Sequence, residues 1–317
     1  MNFAAEYKTH DRKTLHRSIL RFKRTSQLFL FVLIPVIWLV IFKYVPMTGL
    51  QVAFRKYRMR ASISSCEWVG LSYFEQFFSS YEFERVIRNT IVTSLYSLLA
   101  GFPIPILLAL SVNVVENVYC KKFVQTLTYI PHFISTVVLV GMMIQFLNPR
   151  IGLYAIISRR ISGKYPPDIL GNAKAFYHIY VWSGVWQNMG WSSIIYIAAL
   201  SSVDSQLHEA AEIDGASRFQ RCIHIDFPCI LPTAIILLIM SSGSILSVGF
   251  EKVFLMQNSL NLETSEVIST YVYKVSIANG NDFSYGTAIG LFNAVINLLI
   301  LTIVNSISKR VSETSLW

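Results

Sequence analysis

Six apolar runs divide this sequence: about Leu28 to Phe42, Asn89 to Val115, Phe123 to Leu147, Phe176 to Leu200, Thr233 to Phe250 and Tyr285 to Ile307. A helix needs about 20 apolar residues to cross a hydrocarbon core, where backbone N–H and C=O groups must pair within the spanning structure. That requirement predicts an all-α integral membrane protein of about six transmembrane helices. A hydrophobic content of 53% with only 14% charged residues excludes an ordinary soluble domain.

The charges set the expected topology. Lys8, Arg12, Lys13, Arg17, Arg21, Lys23 and Arg24 precede the first run, so residues 1–27 read as a basic cytoplasmic arm and 28–317 as the membrane domain. No small-residue cleavage site comes after the first run, so it is expected to be retained. Six spans return Lys309 and Arg310 to the same side, leaving Pro46 to Arg88 and Asn148 to Lys174 external. Gly101, Pro103 and Pro105 would kink the second span unless neighbouring helices satisfy the freed carbonyls. The net charge of +9 gathers at membrane flanks without a base-stacking module, which favours anionic lipid over nucleic acid. Cys66, Cys120, Cys222 and Cys229 form no disulfide framework. Cys222, His224 and Cys229 lack a standard metal spacing and a fourth ligand, so no metal site is expected.

Between the fourth and fifth runs lies a charged, punctuated stretch, 204–232. Asp204 can cap a short helix with Leu207, Ala210 and Ala211 on one face, and Gly215 can end it in the left-handed region. A second short helix, about Ala216 to Ile223, is expected to stop before Pro228 and Pro232. The prediction is a cytoplasmic helix-turn-helix elbow whose two alanines let another protein approach closely.

Glu209-Ala210-Ala211, two residues, Asp214-Gly215-Ala216, then Ile225-Asp226-Phe227-Pro228 and Leu231-Pro232 resemble the coupling-loop signature, or EAA motif, of permease subunits of binding-protein-dependent type I ABC importers. Phe42-Lys43-Tyr44-Val45-Pro46-Met47, Tyr129 to Ser135, and Thr270-Tyr271-Val272-Tyr273-Lys274 are similar to strings of the oligosaccharide and polysaccharide-fragment branch, such as those of alginate- and pectin-oligosaccharide importers. The resemblance implies a multi-pass protein of the bacterial cytoplasmic (inner) membrane that works by alternating access. Its implied partners are a homologous second permease subunit in a heterodimer, two ATP-binding subunits and an extracytoplasmic solute-binding protein. It assigns ATPase coupling to Glu209, Ala210, Ala211, Asp214, Gly215, Ala216, Ile225, Pro228 and Pro232. Phe227 stands where the family often has Leu, and Cys222 and His224 are atypical, but these departures conserve shape.

No Gly-rich phosphate loop ending in Lys-Ser/Thr occurs, so ATP and Mg are expected in the partner subunits, with no cofactor or catalytic residue here. Glu209 reads either as the partner of a basic ATPase residue or as a solvated carboxylate. For a translocation path, polar side chains on one helical face are the candidates. Gly184, Gln187, Asn188, Trp191 and Ser192 form one such face, where amides beside an indole suit a sugar's hydroxyls and C–H surface. Gly286, Gly290, Asn293 and Asn297 form a second; Ser135, Gly141 and Gln145, and Ser241, Ser244 and Ser247, add to it. The competing reading of these stripes is helix packing and interhelical hydrogen bonding, and His132 reads as structural.

A secondary transporter would carry ionisable residues within its spans, which are almost absent here, and a membrane enzyme would need a convergent cluster of acids, histidines or metal ligands. An ABC importer for a peptide or amino acid is the nearer alternative. External Arg55, Arg58, Arg60, Arg150, Arg159, Arg160, Lys164 and Lys174 could steer an acidic oligosaccharide, or equally dock an acidic binding protein or lipid headgroups.

Overall fold

The computed structural model describes residues 29–278, 282–312 and 315–316. The basic arm, 1–27, lies outside them. The described chain is helical apart from its connections and one isolated antiparallel bridge, Arg55 with Trp68. Among the described residues, four helices are long and apolar enough to cross a membrane: Phe29–Phe54 (α1), Phe83–Val114, Arg218–Ser242 and Phe283–Arg310. A bent pair makes a fifth. The remaining expected span, the fourth in chain order, is a 28-residue helix, Ala173–Leu200, which has the length but not the hydropathy. It is surrounded by other helices, so much of its surface meets protein rather than lipid and tolerates Gln, Asn, Ser and Gly.

A short helix, α2 (Ser72–Phe78), comes after α1. The next span is α3 (Phe83–Gly101) and α4 (Pro103–Val114), joined through Phe102. The Phe102 N–H still reaches Leu98 O at 2.9 Å, so the ladder carries across the Gly-Phe-Pro step.

The third span departs from the expected single helix over Phe123 to Leu147. Helix α5 (Val118–Tyr129) runs into a tight 3-10 turn at Ile130–Phe133, and α6 (Thr136–Phe146) leaves at 97°. Pro131 cannot donate to the preceding ladder, and the Ser135 hydroxyl caps the new helix at Val138 N (3.3 Å). Helix α7 (Leu153–Ser162) then leads to the central helix α8 (Ala173–Leu200).

The elbow opens with α9 (Ser205–Ile213), and its second limb departs from expectation as well. The expected short helix does not stop before Pro228: Arg218 to Ser242 is one continuous helix, α10. Its path widens into a π-turn at Cys222–Asp226, where Phe227 N–H bonds Cys222 O. The wide turn shifts the register just before Pro228, so the proline occupies a first-turn position where its missing N–H breaks no bond. The fifth span also ends earlier than Phe250, at Ser242. The chain then turns through 243–249 into α11 (Phe250–Met256), α12 (Leu262–Ser265) and α13 (Ile268–Tyr273). The last helix, α14 (Phe283–Ser312), packs on α10, α13, α2 and the end of α1.

Packing supplies the cohesion, since lipid is as apolar as leucine and burial between spans gains little from excluding water. Ile106 and Ala109 of α4, Tyr196 and Leu200 of α8, and Ile230 and Ala234 of α10 form one buried cluster. Gly190 marks a close approach of two backbones: a Cβ there would collide with the Thr128 carbonyl of α5. The long face of α1, from Phe29 to Met47, is exposed throughout.

Candidate functional site

The elbow is built by local chemistry. The Asp204 carboxylate accepts from Gln206 N (3.0 Å) at the start of α9. At the other end Gly215 adopts φ +80°, Ala216 N reaches Ala211 O (2.8 Å) and Gly215 N reaches Glu212 O (3.0 Å). This is a complete Schellman cap, which ends a helix at a defined angle. Ser217 and Gln220 then form a reciprocal capping box that starts α10.

Three polar contacts fix the elbow's shape. Arg221 Nη1 meets Glu212 Oε2 at 2.8 Å across the turn. Arg218 Nη2 meets Glu116 Oε1 at 2.7 Å, tying the elbow to the turn between α4 and α5. His208 Nε2 lies 3.2 Å from Oδ1 of Asp226, a close polar contact rather than an aligned hydrogen bond, with the carboxylate buried in the π-turn.

The residues expected to couple to an ATPase mostly face outward. Glu209, Ala210, Asp214, Gly215, Pro228 and Pro232 are exposed, while Ala211, Ala216 and Ile225 are half-buried. Ile213 and Phe219, 87% and 73% exposed, flank the turn as unpartnered apolar surface. An apolar pair beside small residues is what a protein partner could cover.

Between α3, α4, α8, α10 and the 243–249 turn lies a cavity of about 660 Å³, lined by Ser94, Trp191, Ser192, Ser241, Ser244 and Ser247 among others. A second, of about 290 Å³, adjoins it through Ser97, Gly101, Pro105, Tyr180 and Ser192 and adds Gly184, Gln187, Asn188 and Lys252. The Ser94 hydroxyl is buried and has no partner among the described residues. The walls thus offer hydroxyls, amides and one indole.

The α8 stripe is brought together at these cavities, but its polar groups are partly spent on structure. Gln187 Nε2 donates to Ile134 O (2.7 Å), satisfying the carbonyl at the sharp bend between α5 and α6. Asn188 donates to Gly184 O (3.0 Å) and lies 3.0 Å from His132 Nδ1. His132 stacks on Trp191 with ring centroids 4.5 Å apart and planes at 6°. The α14 stripe lines neither cavity. Asn297 accepts from Leu246 N (3.0 Å) and donates to Ser247 Oγ (3.1 Å), holding the turn after α10. Asn293 lies one turn away with its Oδ1 buried and unpaired among the described residues. Gln145 is exposed on α6 and lines neither cavity. Arg55 is committed to its own loop, donating to Cys66 O (2.9 Å) beneath the Trp68 ring. All four cysteines are free, and the described residues contain no cluster able to hold a metal.

Ser94, Ser97, Tyr180 and Lys252 join the cavity walls without having been singled out from the sequence. Lys252 carried a signal: it is a lone cation just before an apolar stretch, Val253 to Met256, beside the end of a span.

Residues 85–313 match the family model described as binding-protein-dependent transport system inner membrane component. Among curated relatives, the polygalacturonan/rhamnogalacturonan transport system permease protein YteP of Bacillus subtilis (strain 168) is 38% identical over 99% of this chain and 96% of its own. Protein LplB of the same organism is 38% identical over 93% and 92% respectively. A chain of a bacterial ABC transporter involved in the import of the acidic polysaccharide alginate superposes with a TM-score of 0.84 at 40% identity, covering 93% of this chain and 99% of that one. The alginate transporter in complex with an alginate pentasaccharide-bound periplasmic protein gives 0.85 at 40% identity, over 93% and 98%.

Proposed function

Because the chain belongs to the binding-protein-dependent transport system inner membrane components, we propose that it is the permease subunit of an ATP-driven importer that carries an oligosaccharide across the membrane by alternating access. The observation that carries the reading is the α9–α10 elbow, whose second helix runs without interruption to the serine-lined cavity beside Trp191. A sugar needs paired donors and acceptors for its hydroxyls and an aromatic face for its C–H surface, and Ser94, Ser241, Ser244, Asn188 and Trp191 offer both.

The elbow faces the cytoplasm, where two ATP-binding subunits use ATP and Mg and receive Glu209, Ala210 and the exposed Ile213 and Phe219. Both chain termini lie on that side. A homologous permease completes the pathway, and an extracytoplasmic binding protein delivers the sugar. This chain transports and does not itself hydrolyse ATP. Closure of the ATPase pair shifts the elbow as one body and tilts α10, a rigid-body transition.

The test is ATP hydrolysis by the purified complex in lipid, with and without oligosaccharide-loaded binding protein, for wild type and Gly215→Pro. Proline cannot take φ +80° and loses the N–H that bonds Glu212 O. Stimulation in wild type and its loss in an assembled Gly215→Pro complex supports the reading. ATP-binding subunits that fail to copurify, or no stimulation by any loaded binding protein, would overturn it.

A further inference from the structure

Among the described residues, Lys252 is the one cation on the walls of the two adjoining cavities, and those walls contain no aspartate or glutamate. The residue is only 9% exposed. Its Nζ donates to Tyr180 O (2.8 Å) and lies 4.7 Å from the centroid of the Tyr180 ring. Among the described residues no carboxylate comes within 4.0 Å of it. A buried ammonium without a counter-charge is costly, and one carbonyl plus an aromatic face offsets only part of that cost. An ammonium has three donors, of which one is spent here. Gly184 faces it from α8, and a Cβ at Gly184 would stand 3.3 Å from Nζ, so a larger residue there would crowd the charged head.

Packing alone gives no reason for a charge at this place, since a methionine would fill the same volume without the desolvation cost. The chemistry that repays it is an acid arriving through the cavity. We propose that Lys252 forms a carboxylate subsite in the translocation path, pairing with a uronate group of the cargo while Gln187 and Asn188 flank the sugar on the same wall. The cargo class is thereby an acidic oligosaccharide. This rests on the oligosaccharide-import reading and narrows it.

The test uses the assembled complex with its binding protein in proteoliposomes. Tetrasaccharides of galacturonate and of mannuronate are compared with the same sugars after reduction of their carboxylates to alcohols. Lys252→Met is expected to lower uptake of the transported uronate at least about 10-fold, as truncating one partner of a buried charge pair does, while uptake of any reduced sugar that wild type accepts stays within about two-fold. Lys252→Arg, which keeps the charge, is expected to restore most uronate uptake. Copurified subunit ratios verify assembly of each variant. Equal loss of both sugars in Lys252→Met, unchanged uronate uptake, or failure of the arginine to rescue would overturn the subsite while leaving oligosaccharide import standing. Wild-type uptake of reduced sugars in preference to uronates would overturn the acidic cargo class, and wild-type uptake of no sugar at all would remove the import reading itself.

Discussion

His208 of α9 meets Asp226 of α10 at 3.2 Å, and the carboxylate is 3% exposed, so the elbow's two limbs are tied at a buried point. Replacing His208 with alanine leaves that carboxylate buried without a counter-group, at a cost of about 1–3 kcal/mol. Replacing Glu212, whose own side chain is 70% exposed in its pair with Arg221, is expected to cost less than about 1 kcal/mol. Melting of the purified complex should rank the two in that order, and a double-mutant cycle between His208 and Asp226 should return a coupling near 1 kcal/mol. A larger loss from Glu212→Ala would show that the exposed pair fixes the limbs.

The Gly215 cap should discriminate between substitutions by backbone rather than by size. Valine in the left-handed region costs about 1–2 kcal/mol, whereas asparagine visits it readily. Gly215→Asn is therefore expected to retain most of the ATPase stimulation by loaded binding protein, and Gly215→Val to lose most of it. Similar activities in the two variants would mean that the left-handed turn is dispensable.

Gly190 holds α8 against α5 through bare backbone contact with Thr128. Gly190→Val forces the helices apart and should destabilise the permease by about 1–3 kcal/mol. The expected readout is a lower yield of assembled complex in membranes. An unaffected yield and melting temperature would mean that α5 can retreat freely.

Glu266 is buried and pairs with both Arg85 of α3 and Lys274, the latter at 3.0 Å. Glu266→Ala removes the shared anion between two cations. The cost should approach, and not exceed, the ~3–5 kcal/mol of a fully buried pair, because both cations are partly exposed. Arg85→Ala should cost less, since Lys274 still neutralises the carboxylate. Thermal melting of the two variants side by side checks the order.

The elbow was legible because its signals are local: Asp204, the two alanines and Gly215 each act within four residues. The helical membrane class was legible for the same reason, as apolar length is a property of a window. The break in the third span was written in Pro131 and Ser135, but an apolar run on both sides masked a start signal in its middle. The continuity of α10 was hidden because a π-turn, not a sequence pattern, accommodates Pro228. The polar stripes were ambiguous in a deeper way. Asn297 finds its partner about 50 residues away at Leu246, and Gln187 finds Ile134 about as far off, so only tertiary structure separates glue from lining. Lys252 stood out in the sequence only as a lone cation beside an apolar stretch, and its burial shows once Tyr180 and Gly184 are placed around it.

The uninterrupted course of α10 has a mechanical meaning. Twenty-five residues of helix reach about 37 Å, from the capping box at Ser217 to the serines on the cavity wall. A push at one end reaches the other as through a crank, passing the π-turn at Cys222–Asp226 and the internal Pro232 but crossing no loop. The fulcrum is the cluster of Ile230 and Ala234 against Tyr196 and Leu200, nearer the cavity serines than the elbow. A lever held close to its working end trades travel for force, so wide strokes at the elbow become short, firm displacements where the sugar would sit.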